Sequence, residues 1–242
     1  MHVILSEEQY NRETVDLTYE WSGNESLVKF LLTAHTFKEK GVVINCLHIP
    51  YVPFSPQDRV NQKGECFSLK WFTELINGIG AKKVIVTDPH SDVTPALINN
   101  CKVIPQHEVF APLFFKDTDK RSRDNFVLVS PDAGSLKKIN KLRDCVGPCE
   151  VLECSKRRNT TDGQLSNTRI HDWRDEYTNM ERIIVDDVAW GGRTFTNLSL
   201  ELSKLAKGNG KNTLMVSHGF FTSGLDNFPL IDEIYTRNGR IK

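Results

Sequence analysis

Short runs rich in valine and isoleucine recur along the chain, and the segments between them have helical spacing. The apolar character of these runs is continuous rather than alternating, which is typical of strands in a parallel sheet covered on both faces. The predicted strands cover residues 42–47, 83–87, 126–129, 150–154, 182–185, 212–216 and 231–235. Apolar stripes predict helices near residues 27–34, 71–79 and 195–205. Strands that alternate with helices restrict the chain to an α/β fold with mainly parallel sheets.

The length of 242 residues predicts one large domain or two compact ones, since a domain averages about 150 residues. A polar run within residues 112–124 separates apolar segments. We therefore expect an amino-terminal α/β domain over residues 1–115 and a second domain over residues 116–242. Residues 155–181 interrupt the alternation with a long polar stretch, and a loop of that length is typical of a lid or of a disordered segment.

The charges of the chain balance, with 31 Lys and Arg against 31 Asp and Glu. A general nucleic-acid or membrane-surface binder carries a basic excess, so neither nucleic acid nor a membrane is an expected partner. No run approaches the roughly 20 apolar residues that span a bilayer, and the first residues lack the features of a signal peptide. We therefore expect a cytoplasmic protein.

The six cysteines are too few for a disulfide scaffold in a chain of this length. Cys145, Cys149 and Cys154 have the spacing C-x3-C-x4-C, but Cys154 falls in a predicted strand and no histidine pair has zinc-finger spacing. We expect ordinary reduced thiols rather than a structural zinc site.

Four predicted strands run directly into polar residues at their carboxyl ends. These polar ends are residues 87–90, 130–134, 186–187 and 217–219. Ligands of an open parallel sheet bind beyond the carboxyl ends of its strands. Four such ends therefore predict a functional site at the sheet edge.

The strongest single motif is RIIVDDVAWGGRT, residues 182–194, in which a buried strand leads into Asp186 and Asp187, a Gly-Gly turn and a helix. Glycines let the backbone approach a phosphate, and a helix amino terminus favours an anion. Paired carboxylates suit ribose hydroxyls or Mg²⁺, which prefers hard oxygen ligands. The alternative is that both aspartates merely cap the next turn. A Walker-type nucleotide site is excluded, because the motif G-x-x-x-x-G-K-[ST] does not occur.

A basic cluster, Lys156-Arg157-Arg158, opens the long polar stretch. Its position after a strand favours a mobile cationic clamp for phosphate. A solvated charge run is the competing interpretation.

Taken in order, these motifs resemble those of the ribose-phosphate pyrophosphokinase (phosphoribosyl pyrophosphate synthetase) family, over a stretch from about Pro50 to Asn238. The matching segments are Pro50-Tyr51 with Gln57-Asp58-Arg59, Asp88-Pro89-His90, Ser130-Pro131-Asp132-Ala133-Gly134, Lys156-Arg157-Arg158, Val185-Asp186-Asp187 and Ser217-His218-Gly219-Phe220-Phe221-Thr222. The resemblance implies two tandem phosphoribosyltransferase-like (Rossmann-like) domains with the active site between them. It also implies Mg²⁺-dependent transfer of the β,γ-diphosphate of ATP to the anomeric hydroxyl of ribose 5-phosphate, with release of AMP.

The resemblance further implies a role for each matched residue, with the first domain on the ATP side and the second on the acceptor side. The residues expected to bind ATP are Gln57, Asp58, Arg59 and His90, and those expected to hold Mg²⁺ are His90 and Asp132. Lys156 and Arg158 are the expected catalytic residues, because they would stabilise charge on the transferred group. The residues expected to bind the acceptor are Asp186, Asp187, Trp190, Gly191, Gly192, Arg193 and Thr194.

The chain departs from the family pattern in three places. The family's amino-terminal Phe-Ser-Asp-Gly-Glu segment and its carboxyl-terminal helix have no match here, so we expect a homo-oligomer other than the family's hexamer. Pro56 stands where the family has an arginine near ATP. The acceptor loop reads Trp-Gly-Gly-Arg-Thr over residues 190–194, where the family has Asp-Thr-Ala-Gly-Thr.

The altered loop bears on the identity of the acceptor. Trp190 supplies a flat surface for a base, and Arg193 adds a positive charge that suits a diphosphate. The expected acceptor is therefore ADP-ribose, and the chain resembles short phage-type variants that look like ADP-ribose pyrophosphokinases. If Trp190 packs into the core instead, ribose 5-phosphate remains the acceptor. Two other functions remain as alternatives, although they fit the motifs less well than a pyrophosphokinase does. They are a type I phosphoribosyltransferase and a non-catalytic, synthetase-associated regulatory subunit.

Overall fold

The structure is a computed structural model that describes residues 6–116, 125–158 and 165–242. It separates into two compact units, Met1–Pro105 and Gln106–Lys242. This boundary comes earlier in the chain than the one expected from the sequence, which lies between residues 115 and 116. It comes earlier because helix α5 (Gln106–Lys116) buries Phe110 and Phe114 in a core of the second unit. Most of the polar run that marks the predicted boundary, residues 117–124, lies outside the described residues.

The first unit is a four-stranded sheet whose strands are all parallel and lie in the order β1-β2-β3-β4. The strands are β1 (Thr14–Thr18), β2 (Val43–Ile49), β3 (Lys83–Thr87) and β4 (Cys101–Ile104). The helices are α1 (Glu7–Tyr10), α2 (Asn24–Glu39), α3 (Ser68–Ile79) and α4 (Val93–Leu97). The sequence predicts only β2 and β3, because β1 mixes polar and apolar residues and β4 is very short.

Helix α3 shows how the sequence builds the core of this unit. Leu69, Phe72 and Ile76 recur at helical spacing, and all three are fully buried in one cluster with sheet residues. The helix ends at Gly80, whose φ of 79° is a left-handed conformation that favours glycine. Burial of this helix face against the sheet fixes β2 and β3 beside each other, with their carboxyl ends at the same edge.

The second unit is a seven-stranded sheet in the order β11-β10-β9-β8-β5-β6-β7. Its five inner strands are parallel, and the pairs β10–β11 and β6–β7 at the two edges are antiparallel. The strands are β5 (Phe126–Ser130), β6 (Val151–Arg158), β7 (Leu165–Ile170), β8 (Glu181–Ala189), β9 (Lys211–Gly219), β10 (Glu233–Thr236) and β11 (Gly239–Arg240). Helices α6 (Leu136–Val146) and α7 (Arg193–Leu205) complete the unit with α5. The predicted α/β fold with mainly parallel sheets is confirmed.

Helices cover both faces of the second sheet, which explains the continuous apolar runs in its strands. Ile184 of β8 packs in a cluster with Phe195 and Leu198 of α7. The neighbouring residues Ile183 and Val185 pack in the other cluster, which holds the apolar side chains of α5 and α6. Successive residues of a strand point to opposite faces, so every position of such a strand is apolar.

The strand order of the second sheet reverses at β5. The chain leaves β5 through α6 and adds β6 on one side, whereas β8 and β9 follow on the other side. In doubly wound sheets, such a reversal opens a crevice at the carboxyl ends of the central strands, where ligands bind. The carboxyl ends of β5 and β8 are therefore the expected place for a site in this unit.

The described part of the polar stretch over residues 155–181 contains two antiparallel strands that pair as a β-hairpin. Strand β6 continues to Arg158 and pairs with β7, and a 3₁₀ helix at Asp175–Asn179 leads into β8. Residues 159–164 lie outside the described residues. The sequence predicts only the apolar first half of β6, within residues 150–154, because the rest of the hairpin is polar and lacks the apolar pattern on which strand prediction depends.

Two of the three closely spaced cysteines lie in protected surroundings. Burial raises the pKa of the Cys149 thiol to about 11 and that of the Cys154 thiol to about 12. Without a bound metal, both thiols are therefore protonated at neutral pH. No described helix is both long enough and apolar enough to cross a membrane.

Candidate active site

The turn after β3 carries the first group of predicted site residues, Asp88-Pro89-His90. Asp88 has only 2% of its surface exposed and a φ of 41°, a left-handed conformation that is uncommon outside glycine. Its backbone N–H donates to the carbonyl oxygen of Ile104, the last residue of β4, over 2.8 Å. The chain therefore turns sharply at the end of the strand, and His90 lies exposed at the sheet edge.

Asp58 connects the segment between β2 and α3 to this turn. The Arg59 guanidinium donates two hydrogen bonds to the Asp58 carboxylate, from Nε to Oδ1 over 2.7 Å and from Nη2 to Oδ2 over 3.1 Å. This bidentate pair lowers the pKa of Asp58, and a hydrogen bond from Ser91 and the charge of His90 lower it further. The structure thus brings Asp58, Arg59 and His90 together, and Gln57 lies exposed directly before them.

Phe54 holds the turn that precedes Gln57. It has a φ of 62°, and its ring packs edge-on against Trp21 and Trp71 with ring centroids 5.8 Å and 6.0 Å apart. The N–H of Gln57 donates to the carbonyl oxygen of Phe54, and the carbonyl oxygen of Gln57 accepts the N–H of Leu69 in α3. Sequence analysis misses Phe54, because its role depends on aromatic rings that are distant along the chain.

Asp132 organises the turn between β5 and α6 in the second unit. Its Oδ1 accepts hydrogen bonds from the N–H groups of Gly134 at 3.0 Å and Ser135 at 3.2 Å. The hydroxyls of Ser130 and Ser135 lie 2.8 Å and 2.9 Å from the Asp132 carbonyl oxygen. Backbone donors therefore hold the carboxylate in one orientation, as a fixed negative charge at the sheet edge.

Asp186 and Asp187 lie within β8 rather than after it, because the strand continues to Ala189. Asp186 Oδ1 accepts the N–H of Asp187 over 2.9 Å, and Asp187 is buried with 7% of its surface exposed. The cap of the next helix is Gly192, and no side chain caps that helix. Neither aspartate therefore caps that helix, and their binding of ribose hydroxyls or Mg²⁺ remains a prediction.

The Gly191-Gly192 turn leads into the amino terminus of α7. Gly192 has a φ of 80°, and its carbonyl oxygen accepts the N–H groups of Phe195 and Thr196. The first N–H groups of an α-helix have no acceptor within the helix, so those of Arg193 and Thr194 point out of its end. The partial positive charge at this end of the helix favours an anion such as phosphate.

The segment after β9 supports this turn from the protein side. A Cβ added to Gly192 would overlap the ring of Phe228, which is fully buried. Thr196 Oγ1 donates to the carbonyl oxygen of Asn227 over 2.8 Å. These contacts hold the turn in one conformation. Sequence analysis does not identify Phe228 or Asn227, since neither belongs to a motif.

Trp190 lies at the surface and not in the core. It has 41% of its surface exposed, and its indole stacks on the ring of Phe220 with centroids 4.0 Å apart and planes 9° apart. Arg193 is exposed as well. The alternative in which Trp190 packs into the core is therefore wrong, and a flat aromatic surface lies beside the predicted phosphate site.

His218 is a site residue that the sequence marks only as part of a polar strand end. It is buried with 3% of its surface exposed, and Arg237 Nη1 lies 3.3 Å from its Nδ1. A guanidinium can only donate hydrogen bonds, so this contact is a hydrogen bond when Nδ1 carries no proton. The register of β8 and β9 pairs His218 with Val188, the residue after Asp187.

Lys156 and Arg158 lie in the β6 arm of the hairpin. The register pairs Lys156 with Thr168 and Arg158 with Leu165 of β7. Strand β5 ends earlier, where Ser130 pairs with Glu153, so the basic cluster lies past the carboxyl end of β5. The side chains of residues 156–158 lie outside the described residues, and the cationic clamp remains a prediction.

The predicted residues thus form one group in each unit. Asp58, Arg59 and His90 meet in the first unit, and the acceptor residues and Asp132 lie at the carboxyl edge of the second. The predicted Mg²⁺ ligands, His90 and Asp132, belong to different units. Within residues 6–116, 125–158 and 165–242, no three His, Cys, Asp or Glu side chains are grouped to hold a metal ion. Asp132 supplies a carboxylate oxygen, the kind of hard ligand that Mg²⁺ prefers, and a Mg²⁺ site remains a prediction.

Comparison with known proteins finds relatives whose names agree with one another. The chain is 23% identical over 219 residues to ribose-phosphate pyrophosphokinase of Mycoplasmopsis pulmonis, an alignment that covers 89% of this chain and 65% of the relative. It is 26% identical over 205 residues to ribose-phosphate pyrophosphokinase of Thermosipho africanus, covering 83% and 61%. Phosphoribosylpyrophosphate synthetase from Mycobacterium smegmatis has a similar fold, with a TM-score of 0.69 and 20% identity over 85% of this chain and 64% of that one. No protein-family model matches.

These relatives confirm the resemblance inferred from the motifs and the fold that it implies. The similarity to the solved synthetase extends over most of the chain and includes both units. The chain spans less than two thirds of the length of each of the three proteins.

Proposed function

We propose that this protein is a Mg²⁺-dependent pyrophosphokinase that transfers the β,γ-diphosphate of ATP to the anomeric hydroxyl of a ribose 5-phosphate moiety. The observation that carries the proposal is the carboxyl edge of the second sheet, where Asp186, Asp187 and the uncapped amino terminus of α7 lie together. Carboxylates accept hydrogen bonds from ribose hydroxyls, and free backbone N–H groups bind phosphate. The relatives named above support this proposal, because they are ribose-phosphate pyrophosphokinases.

The acceptor binds with its ribose over the end of β8. Asp186 and Asp187 receive the ring hydroxyls, and Gly191 and Gly192 let the backbone close around the 5-phosphate. A hydrogen bond from Arg237 to Nδ1 would place the ring proton of His218 on Nε2, which adds a donor near the end of β8. This arrangement fixes the anomeric hydroxyl before the reaction begins.

ATP binds on the side of the first unit. Gln57, Asp58, Arg59 and His90 contact the nucleotide, and the pairing of Asp58 with Arg59 keeps the guanidinium in a fixed orientation. Asp132 and His90 would hold Mg²⁺, which supplies charge neutralisation for the phosphates when bound. Pro56 leaves this region without one cation that the family pattern has.

The transfer step needs no covalent enzyme intermediate. The anomeric oxygen attacks the β-phosphorus, the bond from this phosphorus to the α,β-bridging oxygen breaks, and AMP leaves with that oxygen. The hydroxyl proton is released to solvent. Negative charge builds on the transferred group, and Lys156 and Arg158 stabilise it from the β6–β7 hairpin. The residues of this chain therefore act by positioning and by charge.

ADP-ribose is the acceptor that we propose. Ribose 5-phosphate offers nothing that would use an exposed tryptophan beside the phosphate turn, whereas ADP-ribose carries an adenine beyond a diphosphate. The exposed indole of Trp190 suits stacking with this base, and Arg193 suits the second phosphate. Ribose 5-phosphate as the acceptor is the competing outcome of the experiment below.

The test is AMP release from ATP and Mg²⁺ by the full chain, with ADP-ribose and ribose 5-phosphate supplied separately. We expect AMP with both acceptors and a higher kcat/KM for ADP-ribose. AMP from ribose 5-phosphate alone would overturn the choice of acceptor. Pyrophosphate release that depends on a nucleobase would indicate a type I phosphoribosyltransferase, and nucleotide binding without turnover would indicate a regulatory subunit.

A further inference from the structure

The stack of Trp190 on Phe220 follows from the register of two parallel strands. Ala189, the last residue of β8, lies beside Gly219, the last residue of β9. Trp190 directly follows β8 and Phe220 directly follows β9, so their rings lie side by side just beyond the sheet. The ring centroids are 4.0 Å apart and the planes differ by 9°, which is a stacked and not an edge-on pair.

Backbone hydrogen bonds tie the two strand ends together around this stack. The N–H of Phe220 donates to the carbonyl oxygen of Ala189 over 2.8 Å, and the N–H of Thr222 donates to that of Trp190 over 3.0 Å. The two rings are therefore attached to backbone that cannot separate without breaking both bonds. Such a pair keeps the indole in one orientation while 41% of the Trp190 surface remains exposed.

The next residue, Phe221, has a different task. It adopts a φ of 45°, its ring covers Gly219, and it packs edge-on against Phe228 with centroids 5.5 Å apart. Phe228 in turn lies against Gly192. Phe221 thus supports the phosphate turn from inside the protein, whereas Phe220 faces Trp190 at the surface.

We propose that Phe220 is a specificity-determining positioning residue that holds the Trp190 indole as a platform for the base of an extended acceptor. The inference rests on the proposed function, and it adds a residue that touches neither the ribose nor the transferred diphosphate. Phe220 acts on the acceptor through Trp190. Its effect is therefore confined to acceptors that carry an aromatic base.

The proposal is tested with Phe220→Leu, which keeps an apolar side chain but removes the ring. The quantity measured is selectivity, defined as kcat/KM for ADP-ribose divided by kcat/KM for ribose 5-phosphate. We expect selectivity to fall about tenfold, equivalent to about 1.4 kcal/mol, and Phe220→Tyr to restore most of it. Phe221→Leu is the matched control: it removes an adjacent ring that supports the phosphate turn, so both acceptors lose activity and selectivity changes little.

A double-mutant cycle separates positioning from a general structural effect. In a Trp190→Leu background, Phe220→Leu should change selectivity by less than twofold, because the residue through which it acts is gone. An unchanged selectivity in the single variant, or an equal loss in both backgrounds, would overturn the proposal.

A measurement without substrate distinguishes failure of the positioning proposal from failure of the proposed function. It is the ¹⁹F NMR signal of Trp190. Fluorotryptophan labelling gives one ¹⁹F resonance per indole, and the Trp190 signal is assigned by its loss in Trp190→Phe. Stacking on Phe220 displaces this signal through the ring current, and Phe220→Leu should abolish the displacement. If no acceptor is turned over while the displacement is present and lost as expected, the proposed function fails and the positioning stands. An unchanged Trp190 signal in Phe220→Leu overturns the positioning, whatever the activity.

Discussion

Gly192 lies directly against the ring of Phe228, in a left-handed conformation and without room for a Cβ. Gly192→Ala therefore combines an unfavourable φ with a steric overlap, and we expect it to lower the free energy of unfolding by about 2–4 kcal/mol. The acceptor KM should rise as well, because the turn must shift. Chemical denaturation and acceptor kinetics measure the two effects.

Gly208 provides the matched control for this substitution. It has a nearly identical φ of 79°, but nothing lies within 4 Å of the position of an added Cβ. Gly208→Ala should cost only the backbone term, about 1 kcal/mol. Equal losses of stability in the two variants would show that the Phe228 contact contributes nothing.

Asp132 has two tasks that different substitutions separate. Asp132→Asn keeps an oxygen that accepts the N–H groups of Gly134 and Ser135 but removes the charge. We expect it to raise the Mg²⁺ concentration for half-maximal activity by about tenfold or more, with little loss of stability. Asp132→Ala should additionally lower the free energy of unfolding by about 1 kcal/mol, because both N–H groups lose their acceptor. An unchanged Mg²⁺ response of Asp132→Asn would refute its role in holding the metal.

Lys156 should matter in the transition state more than in the ground state. We expect Lys156→Ala to lower kcat about 100-fold or more while ATP affinity changes far less, because charge on the transferred group appears only during transfer. Lys141→Ala, on the exposed face of α6, is the control. Equal losses in kcat and ATP affinity would contradict a catalytic role, and single-turnover kinetics with equilibrium ATP binding distinguish the two cases.

The pairing of Asp58 with Arg59 predicts a pH dependence of stability. The guanidinium holds the pKa of Asp58 below its unfolded value, so the carboxylate stabilises the fold above about pH 4, and the effect is lost as the pH falls through the folded pKa. The difference in free energy of unfolding between wild type and Asp58→Asn should be constant from about pH 5 to 7 and shrink in more acidic solution. Thermal unfolding across this range measures it, and parallel pH curves for the two proteins would disprove the coupling.

Arg182 should matter for stability and not for the site, because it lies at the amino end of β8. It is buried with 1% of its surface exposed, and it donates to Asn212 Oδ1 at 2.8 Å and to the carbonyl oxygens of Asn209 at 2.9 Å and Thr178 at 3.2 Å. Arg182→Met leaves these acceptors without a donor, and we expect the free energy of unfolding to fall by about 3 kcal/mol.

Arg143→Met is the control for this substitution. Arg143 forms an exposed pair with Asp144, so its replacement should lower the free energy of unfolding by less than about 1 kcal/mol. The kcat/KM of folded Arg182→Met should stay close to that of the wild type. If it falls as far as that of a variant in the candidate active site, Arg182 influences the chemistry.

Much of the fold could be predicted where one physical pattern dominates a segment. The runs that became β5 and β8 are apolar at every position because helices cover both faces of the sheet. Strands β1, β4, β7 and β11 could not be predicted in this way, because they are short or polar and depend on a neighbouring strand. The structure divides the chain after Pro105 rather than after residue 115 for a related reason: α5 belongs to the second unit through the packing of Phe110 and Phe114.

The candidate site divides along the same line. Asp132, Asp186, Asp187 and the Gly-Gly turn could be found from the sequence, because each lies in or soon after a run of apolar strand residues. Their partners could not. Phe228 lies 36 positions beyond Gly192 and belongs to no motif, and Arg237 reaches His218 from the strand end next to it.

By itself, the sequence determined the α/β class, the polar ends of the strands and the order of motifs that resembles the ribose-phosphate pyrophosphokinases. Local periodicity and adjacent residues carry that information. The tertiary structure alone decided that Trp190 lies exposed on Phe220 instead of in the core, and that Asp58 meets Ser91 and His90. Such contacts depend on which strands become neighbours and in what register, and these are settled only when the whole sheet buries its apolar faces.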